Sequence, residues 1–584
     1  MKNQNIYFKT LNILPSSEKF KGIILLLATL ITSVLEAVGI SLILPILTLV
    51  VDGNLNKFNY DLEGFFENIN IFGEISLIAK IFILLVIIYV IKNIYLVIYY
   101  YWQNKYSLNI YKLTSTKLYN LYLNSNISYH FDKNSAVLIR NVLVECKNYS
   151  SVVNTFIKLL SESAIFTAIV ITLLILRPLE TSFALIVMGL SVLILYMITN
   201  KRVERWGLIR QETTGDALKS LQQGLQAIKD VKLKNCQKIF TNKYNFHINE
   251  FVKSAYKHNT ITELPKIWLE IIFIIFLPLV LFVSSLSTTN LDLKDMIPTL
   301  GLFVAAVFKL MPSIYRIYSS FQSISFDKVA IEKLYEEFNS ASLKTKESPD
   351  LRKLQLKFEN EISLEDIDYK YSTSKNFLIK NFSLKIKKNE ILGIIGKSGV
   401  GKSTLVDLIT GLIEPNNGSV KVDGSDIKKN TNSWHKMIGY IPASCYLLDD
   451  TIRNNIAFGI NEKNIDDNRI IKAAKEAQIY GSIVKLDKKF DTIIGERGIK
   501  LSDGQKQRIG IARELYRNNP ILIFDEATST LDINTENEIL TSLDNFKKSK
   551  TILIVSHREN TIKICDRVIN LYANPYLKYN EEKK

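Results

Sequence analysis

The sequence predicts a membrane domain of six α-helices followed by an α/β domain. Three observations support this prediction. The first half of the 584-residue chain contains six apolar runs close to or above the roughly 20 residues that a helix needs to cross the hydrocarbon core. After Phe321 the composition changes, and from about Leu354 short β-type runs alternate with helical ones. One of these runs leads into a glycine-rich loop that opens a helix.

The composition is typical of a protein that lies partly in lipid and partly in water. Apolar residues make up 47% of the chain, charged residues make up 22%, and mean hydropathy is +0.10. The net charge of +16 would suit either nucleic acid or an anionic membrane surface. Because the apolar runs favour the membrane, we expect no nucleic-acid partner. The 29 Phe and 28 Tyr residues exclude a disordered chain.

Charge in the loops predicts the orientation of the spans. The six spans are 22–51, 75–102, 152–176, 183–199, 267–285 and 296–319. The stretches 103–151 and 200–266 are long and rich in Lys and Arg, whereas the loop 52–74 carries five acidic residues against one Lys. Basic loops stay in the cytoplasm. We therefore expect a multi-pass protein of the inner (cytoplasmic) membrane, with both termini in the cytoplasm and short loops at 177–180 and 286–295.

Two further features follow from this layout. The outer segment 58–72 is rich in aromatic residues, which predicts either a short interfacial helix on the outer surface or a loop tucked onto helix ends. The four cysteines lack metal-ligand spacing and lie outside the segments placed beyond the membrane, so a disulfide framework is excluded. We place the membrane domain at 1–325, a linker at 326–353 and the α/β domain at 354–584.

A phosphate-binding loop lies between the apolar run 391–395 and the helical stretch 404–412. Glycines let backbone N–H groups converge on phosphates, and a helix N-terminus adds partial positive charge. Lys402 is expected to reach the β- and γ-phosphates of a nucleotide, and the Ser403 hydroxyl to bind Mg²⁺. The binding segment comprises Gly396, Lys397, Ser398, Gly399, Val400, Gly401, Lys402, Ser403 and Thr404.

A second apolar run, 521–524, ends in two adjacent carboxylates. Asp525 at the end of a predicted strand is suited to hold Mg²⁺ through water. Glu526 is then placed to polarise the attacking water as a general base. Downstream of a phosphate-binding loop, this pair predicts hydrolysis of a nucleoside triphosphate.

The segment Leu501-Ser502-Asp503-Gly504-Gln505 resembles the Leu-Ser-Gly-Gly-Gln signature of the ATP-binding cassette family, and the resemblance covers the whole chain. It implies an exporter-type half-transporter with ATP and Mg²⁺ as cofactors. It also implies that Ser502, Gly504 and Gln505 close on the ATP of a partner subunit. By the same resemblance, Tyr371 stacks on adenine and His557 contacts the γ-phosphate.

Two residues depart from the family pattern. Ala443 stands where the family has a Gln that contacts Mg²⁺ and the attacking water, and Asp503 replaces the first signature glycine. Loss of one positioning group slows hydrolysis by roughly ten- to a hundredfold. Since Lys402, Asp525, Glu526 and His557 are present, we expect reduced but real ATPase activity. The alternative is a cassette that only binds ATP.

One six-helix unit and one cassette make half of a transporter. Two composite ATP sites need two copies, so the resemblance implies a homodimer with twofold symmetry. The alternative is a heterodimer whose partner carries the intact Gln.

Four cations within or at the ends of predicted spans are candidate substrate ligands: Lys92, Lys266, Lys309 and Arg316. Lys309 and Arg316 are seven residues apart and share a helix face. The alternative is that Lys266 and Arg316 extend to the membrane interface at cytoplasmic helix ends. Considered as physics alone, the two interpretations are equally supported.

The membrane half resembles lipid-linked oligosaccharide flippases of bacterial N-glycosylation, the PglK type, in segments 35–45, 264–270 and 308–317. The resemblance implies that the four basic positions bind a lipid pyrophosphate, although three of them are Lys here. It therefore predicts an anionic lipid-linked substrate, a polyprenyl-pyrophosphate-linked oligosaccharide. The alternatives are export of a peptide, lipid A or a drug, and a non-transporting regulator with weak ATPase activity.

Overall fold

A computed structural model describes residues 6–41, 77–176, 178–287, 293–344, 355–371, 374–544, 546–547, 549–571 and 579–582. The chain divides into two compact units. The first comprises residues 1–125 and 129–345, and the second comprises residues 126–128 and 346–584. The aromatic outer segment 58–72 lies outside the described residues.

The first unit is helical. Its helices are α1 (Ile6–Ile13), α2 (Ser16–Ser41), α3 (Leu77–Leu123), α4 (Ile127–Asp132), α5 (Ser135–Arg140), α6 (Cys146–Leu176), α7 (Pro178–Gln226), α8 (Ile228–Leu233), α9 (Gln237–Ser287) and α10 (Leu293–Lys344), with a π-helical turn at Asn141–Glu145. The long basic stretches 103–151 and 200–266 are therefore largely helical and continue the apolar segments. The loop expected at 177–180 is shorter, because α7 begins at Pro178, and proline suits the first helical position.

Four helical stretches among the described residues are long and apolar enough to cross a membrane: Ser16–Val38, Phe82–Leu123, Ser135–Ile175 and Thr181–Gln226. They correspond to the first four predicted spans. The fifth and sixth predicted spans lie within α9 and α10, and each includes side chains that are not described.

Polar contacts spaced along two helices hold α2 against α3. The contacts join the Tyr106 hydroxyl to the Glu18 carbonyl (3.0 Å), the Tyr95 hydroxyl to the Ala28 carbonyl (2.8 Å), and the Lys92 ammonium to the Glu36 carboxylate (3.1 Å). Since one residue number rises as the other falls, the two helices run antiparallel. Each partner is buried or half-buried, so the contacts add directional preference to an otherwise apolar interface.

The second unit combines two sheets with short helices. Its strands are β1 (Glu361–Tyr369), β2 (Ile379–Lys387), β3 (Ile391–Gly396), β4 (Asn417–Val422), β5 (Ser425–Asp426), β6 (Ile438–Ile441), β7 (Ile521–Asp525), β8 (Thr551–Val555), β9 (Arg567–Leu571) and β10 (Tyr579–Glu582). The order of the antiparallel sheet is β2-β1-β4-β5. The order of the larger sheet is β10-β9-β3-β8-β7-β6, parallel except for β10.

The helices of this unit are α11 (Lys402–Thr410), α12 (Thr431–His435), α13 (Ile452–Ile456), α14 (Asp467–Glu476), α15 (Tyr480–Val484), α16 (Asp503–Arg517), α17 (Ile533–Asp544) and α18 (Glu559–Lys563). Strand β7 is buried on both faces. Ile521 and Ile523 pack into the core shared with α11 and the antiparallel sheet, whereas Leu522 and Phe524 pack into the core shared with α16. This continuous burial is why the strand reads as an uninterrupted apolar run.

All four cysteines, Cys146, Cys236, Cys445 and Cys565, are free in the structure.

We predict that Gly418→Ala destabilises the second unit by at least about 2 kcal/mol. Gly418 has a φ of +83°, and a Cβ there would lie 2.3 Å from the Glu365 carbonyl oxygen. The matched control is Gly481→Ala, where a Cβ meets nothing within 4 Å. Thermal unfolding of the full-length protein in detergent measures the difference, and equal stabilities of the two variants would contradict the prediction.

Candidate functional site

The candidate site lies where three neighbouring parallel strands end. In the larger sheet β8 lies between β3 and β7, with Ile394 opposite Val555 and Val555 opposite Asp525. The carboxyl ends of parallel strands meet at one edge of a sheet, where open α/β sheets bind their ligands. Loop residues that follow β3, β7 and β8 are therefore brought together although they are far apart in the chain.

The loop after β3 turns through left-handed backbone conformations into α11. Gly399 has a φ of +79° and Gly401 a φ of +107°, values that glycine adopts without steric cost. Helix α11 begins at Lys402, so its unpaired N–H groups open toward the loop. This is the strand–loop–helix arrangement that the sequence predicts for binding phosphate.

The Lys402 ammonium lies at the centre of the site and is 6% exposed. It donates to the carbonyl of Gly396 at 2.9 Å and to that of Lys397 at 3.3 Å. Its nitrogen is also 2.9 Å from Nε2 of His557 and 3.9 Å from Oε1 of Glu526. Asp525 also lies close enough for its charge to interact with that of Lys402. A buried cation held mainly by carbonyl dipoles suits an anionic ligand such as a polyphosphate.

Glu526 and His557 face each other beside this cation. Nε2 of His557 is 3.6 Å from Oε1 of Glu526, and the two side chains are 51% and 41% exposed, respectively. Glu526 has a φ of +52°, an uncommon backbone conformation for a residue with a side chain. Its N–H donates to the Val555 carbonyl at 3.0 Å, which anchors this turn to β8. Such anchored strain is typical of functional sites.

Asp525 is the more buried of the two carboxylates. Its Oδ2 accepts a hydrogen bond from the Tyr440 hydroxyl at 3.0 Å. Burial raises the pKa of the Asp525 carboxyl, and the bond from Tyr440 opposes the rise. Burial, with the nearby charge of Asp525, raises the pKa of Asp407 to about 6. A metal cation beside Asp525 would relieve this concentration of negative charge, so the residues present fit Mg²⁺.

A cleft of about 630 Å³ connects these groups. It is lined by Tyr371, Ser374, Asn376, Phe377, Leu378, Ser398, Gly399, Gly401, Lys402, Ser403, Thr404, Ala443, Asp525 and Glu526. The structure therefore brings together Tyr371, the loop, Ser403 and both carboxylates, as the sequence predicts. Tyr371 also bonds through its hydroxyl to Oγ1 of Thr404 at 2.7 Å. Residues 374–378 form one wall of the cleft, and the sequence analysis did not identify them. The feature of the sequence that could have indicated this wall is the aromatic residue Phe377 close to Tyr371.

The signature residues do not line this cleft. Ser502 caps the N-terminus of α16: its Oγ accepts from the Gln505 N–H at 3.3 Å, and its own N–H donates to the Gln505 side chain at 3.0 Å. Gly504 lies in the first turn of the same helix. Asp503 pairs with Lys506 at 3.1 Å, so the carboxylate that departs from the family pattern has a basic neighbour.

The basic candidates of the first unit are placed unequally. Lys92 is 3% exposed and pairs with Glu36 at 3.1 Å, and its nitrogen lies 4.2 Å from the centre of the Tyr89 ring. Lys266 is exposed on α9, and the side chain of Lys309 on α10 lies outside the described part of the chain.

Arg316 is half exposed, and its Nη1 lies 2.6 Å from Oε1 of Glu162, a side chain that is only 8% exposed. Sequence reasoning missed the carboxylate partners Glu36 and Glu162. The sequence does indicate such pairs, because acidic residues lie inside the apolar runs 22–51 and 152–176. Inserting a charged side chain into the membrane is energetically unfavourable, so such residues normally have a partner.

Comparison with known proteins assigns both units. Residues 379–529 match the family model described as ABC transporter, and residues 22–310 match the ABC transporter transmembrane region. The chain belongs to the ABC transporter family. A bacterial Atm1-family ABC exporter with ATP bound has the same fold, with a TM-score of 0.76 at 20% identity over 97% of this chain and 96% of that one. The predicted fold class, a helical transmembrane domain with an α/β P-loop domain, is confirmed.

Two relatives illustrate the range of the family. The ATP-dependent lipid A-core flippase of Pectobacterium atrosepticum is 31% identical over 396 residues, which are 67% of this chain and 66% of the relative. The leukotoxin translocation ATP-binding protein LktB of Mannheimia glucosida is 35% identical over 270 residues, which are 46% of this chain and 36% of the relative. The aligned part thus covers slightly less than two thirds of the flippase.

We predict that Glu526→Gln lowers ATP turnover by about 10²- to 10⁴-fold, the range for a lost general base, while ATP still binds. The amide keeps the shape of the side chain but does not accept a proton from water. Phosphate release and equilibrium ATP binding by the purified protein test the two parts. Turnover near the wild-type rate would show that another group is the base.

We predict that Ala443→Gln raises ATPase activity several-fold or more, since the variant regains an amide that positions groups in the cleft. Ala443 is exposed and lines the cleft, so the longer side chain has room. Phosphate release at saturating Mg²⁺ and ATP is the measurement. An unchanged rate would mean that the missing amide does not limit turnover in this protein.

Proposed function

We propose that this protein is an ATP-driven flippase that moves an amphipathic anionic lipid, a polyprenyl-pyrophosphate-linked oligosaccharide, across the cytoplasmic membrane. It acts as a homodimer, with both termini and the ATPase unit in the cytoplasm. The observation that carries the cargo proposal is the partly exposed Arg316 guanidinium, held by a buried carboxylate on a helix of the membrane unit.

In the ATPase half, each group has a distinct task. Lys402 and the N–H groups at the start of α11 bind the phosphates, and Tyr371 supplies an aromatic face for the base. Ser403 and Asp525 hold Mg²⁺, which neutralises charge on the phosphates. Glu526 accepts a proton from the attacking water, and His557 contacts the γ-phosphate beside Lys402.

Two copies are needed because each chain supplies only part of a complete ATP site. Ser502, Gly504 and Gln505 lie at the N-terminus of α16 and are absent from the lining of the described cleft of their own chain. In the proposed dimer they contact the ATP bound by the partner subunit. The helix N-terminus suits the charge of a phosphate.

Arg316 is arranged to meet an anionic headgroup. A guanidinium has five N–H donors, and Glu162 engages one terminal nitrogen while half of the side chain stays accessible. The buried carboxylate fixes the cation in place, so less freedom is lost when a phosphate binds. Lys92 is buried and its charge is balanced by Glu36, so in this proposal it joins α2 to α3 and does not bind the headgroup directly.

The relatives favour a lipid over a drug as cargo, since several of them are lipid A-core flippases. The leukotoxin translocation protein keeps peptide export as the rival within the transporter class. The rival outside it is a non-transporting regulator with weak ATPase activity, supported by Ala443, and its test is the Ala443→Gln measurement combined with any transport assay.

We predict that Lys309→Gln combined with Arg316→Gln lowers flipping of a polyprenyl-pyrophosphate-linked glycan at least about tenfold, because a pyrophosphate loses charge-assisted hydrogen bonds. Basal ATPase activity should stay within about twofold of wild type, since the catalytic groups lie in the other unit. Translocation in proteoliposomes and phosphate release on the same preparation measure the two effects.

The matched control neutralises two exposed lysines of α9, Lys243→Gln and Lys253→Gln, which changes net charge equally. A neutral lipid offered to the same variants tests whether the effect depends on the headgroup. Wild-type flipping rates in the Lys309 and Arg316 double variant would refute this cargo site.

A further inference from the structure

Tyr440 does not line the cleft but contacts a residue that does, Asp525, and the sequence motifs give it no role. It lies on β6, the edge strand beside β7, with Tyr440 opposite Ile523 and Ile441 opposite Phe524. The strand pairing therefore fixes its backbone two residues before the end of β7, where Asp525 begins the catalytic turn. Three residues further along the same strand and loop, Ala443 lines the cleft.

The tyrosine hydroxyl donates to one particular oxygen of Asp525, Oδ2, at 3.0 Å. Asp525 is 8% exposed, so water has little access to satisfy this oxygen in its place. One donor on Oδ2 restricts rotation of the carboxylate about its last bond and leaves Oδ1 as the oxygen that can turn to a cation. A phenol on a paired strand is a stiff support, because only two torsions orient it.

The surroundings make this support consequential. Asp407 on α11 and Glu526 repel the charge of Asp525, whereas Lys402 attracts it, so the carboxylate is subject to opposing electrostatic forces. At position 443 the side chain is a methyl group, so no amide reaches into this part of the cleft from the loop after β6.

We propose that Tyr440 is a positioning residue for the magnesium site: its hydroxyl holds the Asp525 carboxylate in the orientation that receives the ion. Tyr440 does not touch the ion or the nucleotide. It acts through Asp525, in the way that outer partners orient the ligands of other metal sites. The inference rests on the proposed ATPase function, and it concerns how the metal is held rather than which cargo is moved.

The experiment is a Mg²⁺ titration of ATP binding, made on full-length protein carrying Glu526→Gln to slow turnover. Tyr440→Phe removes the hydroxyl and keeps the ring. We expect the free Mg²⁺ concentration at half-maximal ATP binding to rise roughly tenfold, the lower end of the range for a lost outer partner. ATP binding in EDTA should be unchanged, and Mn²⁺ bound with ATP, measured by electron paramagnetic resonance, should weaken in parallel.

The matched control is Tyr446→Phe, which removes the hydroxyl of an exposed tyrosine in the loop that follows β6. Thermal unfolding without nucleotide monitors the fold of each variant. An unchanged Mg²⁺ midpoint in Tyr440→Phe would overturn the inference, as would an equal loss of ATP binding with and without metal. If the Glu526→Gln parent itself binds no Mg²⁺-dependent ATP, it is the proposed ATPase function that fails.

Discussion

The parallel pairing of β3, β8 and β7 is the constraint on which the rest of the site depends. It brings the ends of three strands to one edge, although Gly396 and Asp525 are separated by more than a hundred residues of chain. Lys402, Glu526 and His557 follow these three strand ends, so their mutual distances of 2.9–3.9 Å are set by the sheet. No single sequence motif could fix these distances, because each of the three residues follows a different strand.

What the sequence predicts well is local. The phosphate-binding loop was recognisable because the glycine spacing, the preceding apolar strand and the following helix are continuous in the chain. Asp525 and Glu526 were recognisable because a doubly buried strand reads as an uninterrupted apolar run. Tyr440 and the wall at 374–378 were missed because their roles depend on the tertiary structure, which places them beside residues that are distant in the sequence.

The same distinction holds in the membrane unit. The cations were visible as charges interrupting apolar runs, but their partners are distant in sequence, since Glu162 and Arg316 lie on α6 and α10. Removing one member of a buried pair such as Lys92 and Glu36 leaves an uncompensated charge, which costs about 3–5 kcal/mol. The pair of Glu162 with Arg316 is worth less, because Arg316 is half exposed and water screens its charge. The pairs therefore restrict which helices can separate when the membrane unit changes conformation. An anion that binds the accessible part of Arg316 would share the guanidinium with Glu162 and so weaken one such restriction.

The length of α3 has a mechanical consequence. Its 47 residues contain neither proline nor glycine, and at 1.5 Å per residue they form a rod of about 70 Å, more than twice the roughly 30 Å of hydrocarbon that it has to cross. A stiff rod of this kind amplifies rotation: a tilt of about 5° at one end moves the other by roughly 6 Å. From Lys92 the rod extends about 46 Å to its far end, so the same tilt about Lys92, too small to break any helix, displaces that end by roughly 4 Å.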